Sequence, residues 1–201
     1  MQSIVGLGAP PNEPTGRLDW AMRAIAEIVR ASHRPNPNLG LLAAPSQSIS
    51  ARLMHTGGII SASGGDATPV VTETYICEVY VPANASINGV AILNGTAVAG
   101  KIVVGLADSS GDVLANSALA GTNLSGTNAY QRVAFTAAYA AKGPATYYVL
   151  AQFNNTSARF AVHLLGNFGA SKKTGETFGT LTAITPPTTF TEGLGPIASL
   201  Y

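Results

Sequence analysis

The chain has 201 residues, of which only 10% are Asp, Glu, Lys or Arg, and a formal net charge of +1, against a usual charged share of roughly a quarter. Its few arginines are scattered, so there is no clustered cationic face of the kind phosphate binding needs, which excludes a nucleic-acid partner. A lone cysteine, Cys77, excludes an internal disulfide, and no apolar run reaches the ~18 residues of a membrane span.

A surface so poor in charge loses little on desolvation, which suits burial against other subunits. The length fits one core with extensions. The first thirty residues lack the basic and continuous apolar regions of a signal peptide, so synthesis in a cytosol is expected. The Asn-x-Ser/Thr triplets at Asn84, Asn94, Asn123, Asn154 and Asn155 are then chance products of an Asn- and Thr-rich chain.

Residues 1–14 carry Gly6, Gly8, Pro10, Pro11 and Pro14, a density that predicts an extended arm. Thr15 can cap a helix over which Leu18, Met22, Ile25 and Val29 recur at helical spacing on one face, widened by Ala21 and Ile28. Asp19, Arg23, Glu27, Arg30 and Arg34 form the opposite face, spaced for salt bridges between turns. Pro35 and Pro37 end the helix near Ser32. An isolated helix of that length, about 21 Å, is marginal in water, so its apolar face needs a cover. This chain's own β domain, a parallel bundle of copies and a docking partner all satisfy the spacing.

Residues 35–50 read as a linker, which places the N-terminal arm, helix and linker in residues 1–45 and a β domain in residues 46–170. Residues 70–82 alternate: Val71, Glu73, Tyr75, Cys77, Val79 and Val81 fall on one face and Thr72, Thr74, Ile76, Glu78 and Tyr80 on the other. Further strands are predicted over 87–93, 101–107, 113–115, 130–137, 146–153 and 158–165, with a hairpin turn at Asp108–Asp112. Short strands at spacings near a dozen residues indicate an antiparallel β-sandwich, of which a jelly roll is the expected version. Residues 171–201 form a Thr/Pro/Gly-rich C-terminal arm whose apolar groups, among them Phe178, Leu181, Ile184, Phe190, Leu200 and Tyr201, are spaced too singly to make a core. Such ends are ordered only when tied down, here by neighbouring copies or a partner.

Motifs that carry chemistry are weak. Gly95–Lys101 matches a phosphate-binding loop up to its last position, where Ile102 replaces the required Ser or Thr and opens a strand rather than a helix. Asp108 and Asp112 have too few acidic companions for a calcium loop and suit an ordinary turn. His33, His55 and His163 are dispersed, and no nucleophile elbow or zinc-protease helix occurs. Glu73 and Glu78 fall on opposite strand faces, which argues against a glycosidase pair. No enzyme activity, metal or cofactor is expected. Tyr147 and Tyr148 are adjacent in a strand, so one ring faces away from the core, either exposed or at an interface. With Tyr75, Tyr80, Tyr130 and Tyr139 these rings make glycan recognition the competing reading.

The stretches VPANASINGVAILNGT, VVGLADSSGDVLANSA and YYVLAQFNNTSARF, with the ending ITPPTTFTEGLGPIASLY, resemble jelly-roll domains of bacteriophage virion proteins of the capsid decoration, cement, head-fibre or tail-associated type. The resemblance implies a structural subunit located in the virion, which associates with itself as a homotrimer or other homo-oligomer and with the phage major capsid protein or another virion protein. A receptor- or host-glycan-binding tail module is the alternative of the same fold. Assembly contacts are expected at Leu18, Met22, Ile25 and Val29 on the helix and at Phe190, Leu200 and Tyr201 in the tail.

Overall fold

The computed structural model describes residues 54–56 and 64–201. The expected helix, with Leu18, Met22, Ile25 and Val29, lies outside the described residues, as do the preceding arm and the linker. What is described is mainly β, built from antiparallel strand pairs. The strands are β1 (Gly64–Ala67), β2 (Glu73–Val81), β3 (Ala85–Leu93), β4 (Lys101–Ala107), β5 (Val113–Asn116), β6 (Thr122–Asn123), β7 (Tyr130–Ala141), β8 (Ala145–Phe153), β9 (Phe160–His163), β10 (Ala170–Thr174) and β11 (Ala198–Leu200).

The alternation in residues 70–82 becomes β2, and the segments predicted around 87–93, 101–107, 113–115, 130–137 and 146–153 become β3, β4, β5, β7 and β8. One sheet runs β10-β2-β8-β4-β5 with β6 beside β4, and another runs β11-β3-β7. β1 and β9 form a separate ribbon. The inward rows of both larger sheets bury one shared cluster, including Val79, Ile87, Ile92, Val104, Val133 and Val149. Near its centre Phe153 and Phe160 stack at 4.7 Å and Tyr75 tilts onto Phe160 at 4.7 Å, a geometry that adds to simple area burial. The Tyr75 hydroxyl escapes desolvation by donating to Glu73 (2.8 Å) and accepting from the Val70 N–H (3.0 Å). Glu73 in turn holds Lys172 of β10 at 2.6 Å.

The C-terminal segment folds back on its own domain. β11 pairs with β3 on one side; on its other side the Leu200 N–H donates to the Met54 carbonyl (2.8 Å) and the Thr56 N–H to the Ala198 carbonyl (2.8 Å). The last strand is therefore internal to its sheet. Leu200 is 3% exposed, within the shared core.

Upstream of β11, the tail lies along the outer face of the first sheet. Leu181 and Ile184 pack with Ile76, Ala107, Tyr148 and Leu150 in a second apolar cluster. Both Tyr147 and Tyr148 are consequently buried, one in each cluster. Of the adjacent pair, Tyr148 is the ring that faces away from the shared core, and the tail closes over that face. Two glycines mark the track. A Cβ on Gly105 would meet Leu181 Cδ1 at 2.6 Å, and one on Gly121 would meet Phe178 Cζ at 2.7 Å. Gly105 in β4 and Gly121 in the turn before β6 leave room where the tail inserts its own side chains.

Gly105→Val is expected to overfill the Leu181 seat and to destabilise the domain by about 1–3 kcal/mol. Urea denaturation of the variant checks this; a midpoint equal to the parent's would mean that the tail docks too loosely for the seat to matter.

Candidate functional site

Three places on the described domain concentrate polar or aromatic groups. The first is an open groove of about 710 Å³ over β2 and β8. Its floor is Glu78, Thr146 and Tyr148; its walls are the Gly166–Gly169 turn between β9 and β10 and the Pro187–Phe190 stretch of the tail. The walls are fixed to the sheet by an exchange of hydrogen bonds. The Glu78 N–H donates to the Gly169 carbonyl at 2.8 Å, and the Gly169 N–H donates to Glu78 Oε2 at 2.8 Å. Phe168 and Phe190 meet edge to face at 5.1 Å, and Phe168 also meets His163 at 5.0 Å. Both phenylalanines keep part of their surface exposed.

Beneath the groove lies a buried polar cluster. Thr56, 0% exposed, accepts from the Ala198 N–H (2.8 Å) and donates to the Pro196 carbonyl (2.7 Å). Its single proton is thus spent, so His163 Nε2, 3.1 Å away, carries a proton and donates to the Thr56 hydroxyl. Nδ1 of His163 is then bare, fully buried and without a partner among the described residues. Burial, reinforced by the neighbouring His55, pushes the His163 pKa down to about 4. His55 donates from Nδ1 to the Thr56 carbonyl (2.7 Å) and accepts at Nε2 from the Tyr130 hydroxyl (2.7 Å); burial lowers its pKa as well. The Cys77 thiol, fully buried, is raised well above its ordinary value by desolvation, the reverse of what a nucleophile needs.

The third place is a hollow of about 460 Å³ beside β1, lined by Asp66, Asn94, Thr96 and Asn128 among others. Asp66 Oδ2 accepts from both the N–H (2.9 Å) and the hydroxyl of Thr96, which holds the carboxyl pKa low. The Asn94 amide nitrogen is consumed by the Ser125 and Gly126 carbonyls and Gln131.

The residues with candidate chemistry have local structural duties. Asp108 Oδ1 accepts from the N–H groups of Ser110 (2.8 Å) and Asp112 (3.1 Å) and so caps its own turn. Lys101 opens β4 and donates to the Ala120 carbonyl (3.2 Å). Of the expected assembly residues, Leu200 lies in the domain's own core and Phe190 in the groove wall. Tyr201 is half-exposed on the outer face of the second sheet, its hydroxyl lying over Gly89, with Arg132 4.9 Å above the ring.

Sequence reasoning missed the groove. The one local signal was Gly166-Asn-Phe-Gly169, an aromatic held between turn residues in a loop, where binding groups concentrate. No known protein family, curated protein or solved structure matches the chain.

The His163 environment sets a pH dependence. The unfolded chain takes up a proton near 6.5 whereas the folded chain resists until about 4, so the unfolded state binds more protons between those values. Stability is therefore full above pH 6.5 and falls as pH drops toward 4, by on the order of 3 kcal/mol. Asp66, whose pKa is lowered from 3.8, withdraws its own contribution only below that window. Urea midpoints between pH 7 and 4 are expected to fall for the parent chain and to fall less steeply in His163→Gln, which keeps a donor toward Thr56, while His55, whose pKa burial also lowers, retains part of the slope. An unchanged slope in the variant would assign the acid sensitivity elsewhere.

Proposed function

We propose that this chain is a non-enzymatic structural subunit of a bacteriophage particle, of the capsid decoration, cement or head-fibre kind, that works as a homo-oligomer. The reading takes the strand connectivity as a jelly roll and the N-terminal segment as an amphipathic attachment helix. The connectivity supports it: β2 and β8 pair in one sheet while β3 and β7 pair in the other, so an antiparallel ribbon crosses from sheet to sheet as it is followed along the chain.

The observation that carries the reading is the unequal treatment of the two outer faces. The tail covers that of the first sheet with Leu181 and Ile184. The outward row of β7 instead presents exposed Tyr130, Arg132, Ala134, Thr136, Ala138 and Ala140, beside His55, Ser199 and Tyr201. Arg132 is the one Lys, Arg, Asp or Glu side chain in that row, and it lies over Tyr201. Desolvating such a face strands little charge. Small side chains let a flat partner approach closely, and the area buried, repeated in every copy, would supply the binding energy of a shell component.

Light scattering is expected to give an oligomeric mass for the full chain, and Ala134→Glu with Ala140→Glu is expected to reduce it to that of a monomer with little change in melting temperature. Mass spectrometry of particles purified from the culture that makes this chain should find it at many copies per particle. A monomeric parent together with absence from particles would defeat the proposal.

A further inference from the structure

The groove over β2 and β8 has no role in the assembly reading. We infer that it binds a neutral, hydroxyl-rich ring: a saccharide unit seated against Phe168 and Phe190 and hydrogen-bonded to Glu78 and Asn167. Four features of the groove select that class.

Size comes first. A volume of about 710 Å³ falls within the range of small-ligand sites and admits one or two sugar rings. The second feature is rigidity. Phe168 is clasped between the buried His163 ring at 5.0 Å and the Phe190 ring at 5.1 Å, and Gly169 is tied twice to Glu78. A ligand need not order these groups on arrival, which removes part of the entropic cost of binding.

Charge is the third feature. Among the lining residues Glu78 is the only charged group. An anionic ligand, whether phosphate, sulfate or an acidic sugar, would face a carboxylate with no cation to offset it. A wholly apolar ligand fails as well, because it would strip water from Glu78, whose Oε1 has no partner among the described residues. The fourth feature is the mixture of surfaces. The C–H face of a pyranose matches a half-exposed aromatic ring, while its hydroxyls can donate to Glu78 Oε1 and exchange hydrogen bonds with the Asn167 amide and the Thr188 and Thr189 hydroxyls. The charge-assisted bond to Glu78 is the strongest of these.

The test is an amide-resolved NMR titration of the full chain with galactose, glucose, mannose and N-acetylglucosamine, with sialic acid as the anionic control. At least one neutral sugar is expected to shift the Asn167, Phe168 and Gly169 amides saturably in the millimolar range, with sialic acid inert. Phe190→Ala should weaken that sugar tenfold or more. Glu78→Gln, whose amide oxygen can still accept from Gly169 and so keeps the turn in place, should weaken it severalfold. The inference is overturned if no neutral sugar shifts these amides at 50 mM, if sialic acid binds as well as they do, or if Glu78→Gln, folded by its spectrum, binds like the parent. None of these outcomes bears on the oligomeric mass, so this inference and the assembly proposal stand or fall separately.

Discussion

The Thr56 hydroxyl fastens together parts of the chain that are far apart in sequence. It donates to the Pro196 carbonyl, accepts from the Ala198 N–H 142 residues away, and receives His163 Nε2 from 107 residues away. All of this happens at a fully buried atom, where each bond is stronger than in water and each missing one is costly. Because β11 sits between residues 54–56 and β3, the second sheet is complete only when the C-terminal strand is in place. Closing loops of that size precedes any gain from the contacts they permit, which makes slow, late completion of this sheet the natural order of folding.

The parts of the fold that could be read in the sequence are those whose cause is local. β2 is long enough for period-two alternation to show, β4 and β8 are runs rich in apolar and β-branched residues, and turn residues bracket them. β10 and β11 were missed because Ala170–Thr174 reads as a polar, Lys-bearing segment and Ala198–Leu200 is three residues long; both are strands only because a neighbouring strand offers its edge. The same cause explains Ile76 and Tyr148. Both lie on the face of the first sheet that turns away from the shared core, and such a face is solvent only if nothing covers it. The covering segment, Leu181 to Ile184, sits in a Thr/Pro-rich stretch with no pattern that names its target.

The candidate sites were hidden for a related reason. Glu78, Tyr148, Phe168 and Phe190 come from two strands, a turn and the tail, spread over more than half of the chain, and no spacing rule links them. His163 looked like one more member of an apolar strand, and its buried, half-satisfied ring follows from the arrival of Thr56 above it. The failed phosphate loop was readable from residue identities, but two of the histidines that read as dispersed, His55 and His163, are brought by the fold to 6.3 Å between ring centroids. Residue identities could not assemble a surface. The assembly residues expected on the helix lie outside the described residues, whereas those expected in the tail are parted by the fold, with Leu200 inward, Phe190 at the groove and Tyr201 on the uncovered face.

That parting makes the tail the segment through which stability, groove and face are coupled. Within about twenty residues it seats Leu181 on Gly105, supplies one groove wall at Phe190, contributes β11 to the second sheet and ends with Tyr201 under Arg132. Loosening at any one of these positions is resisted by the others, because a chain pinned at both ends of a short stretch has little freedom to gain by releasing its middle. Coupling also runs outward. A ring seated against Phe168 and Phe190 would brace the tail against β2, and a partner pressed on Tyr201 would brace the same tail from the opposite sheet; either adds stability only through its preference for the docked state. The residues that look least structured in the sequence thus hold both surfaces in register, and the scarcity of charge leaves apolar contact and neutral hydrogen bonds as the main means of doing so.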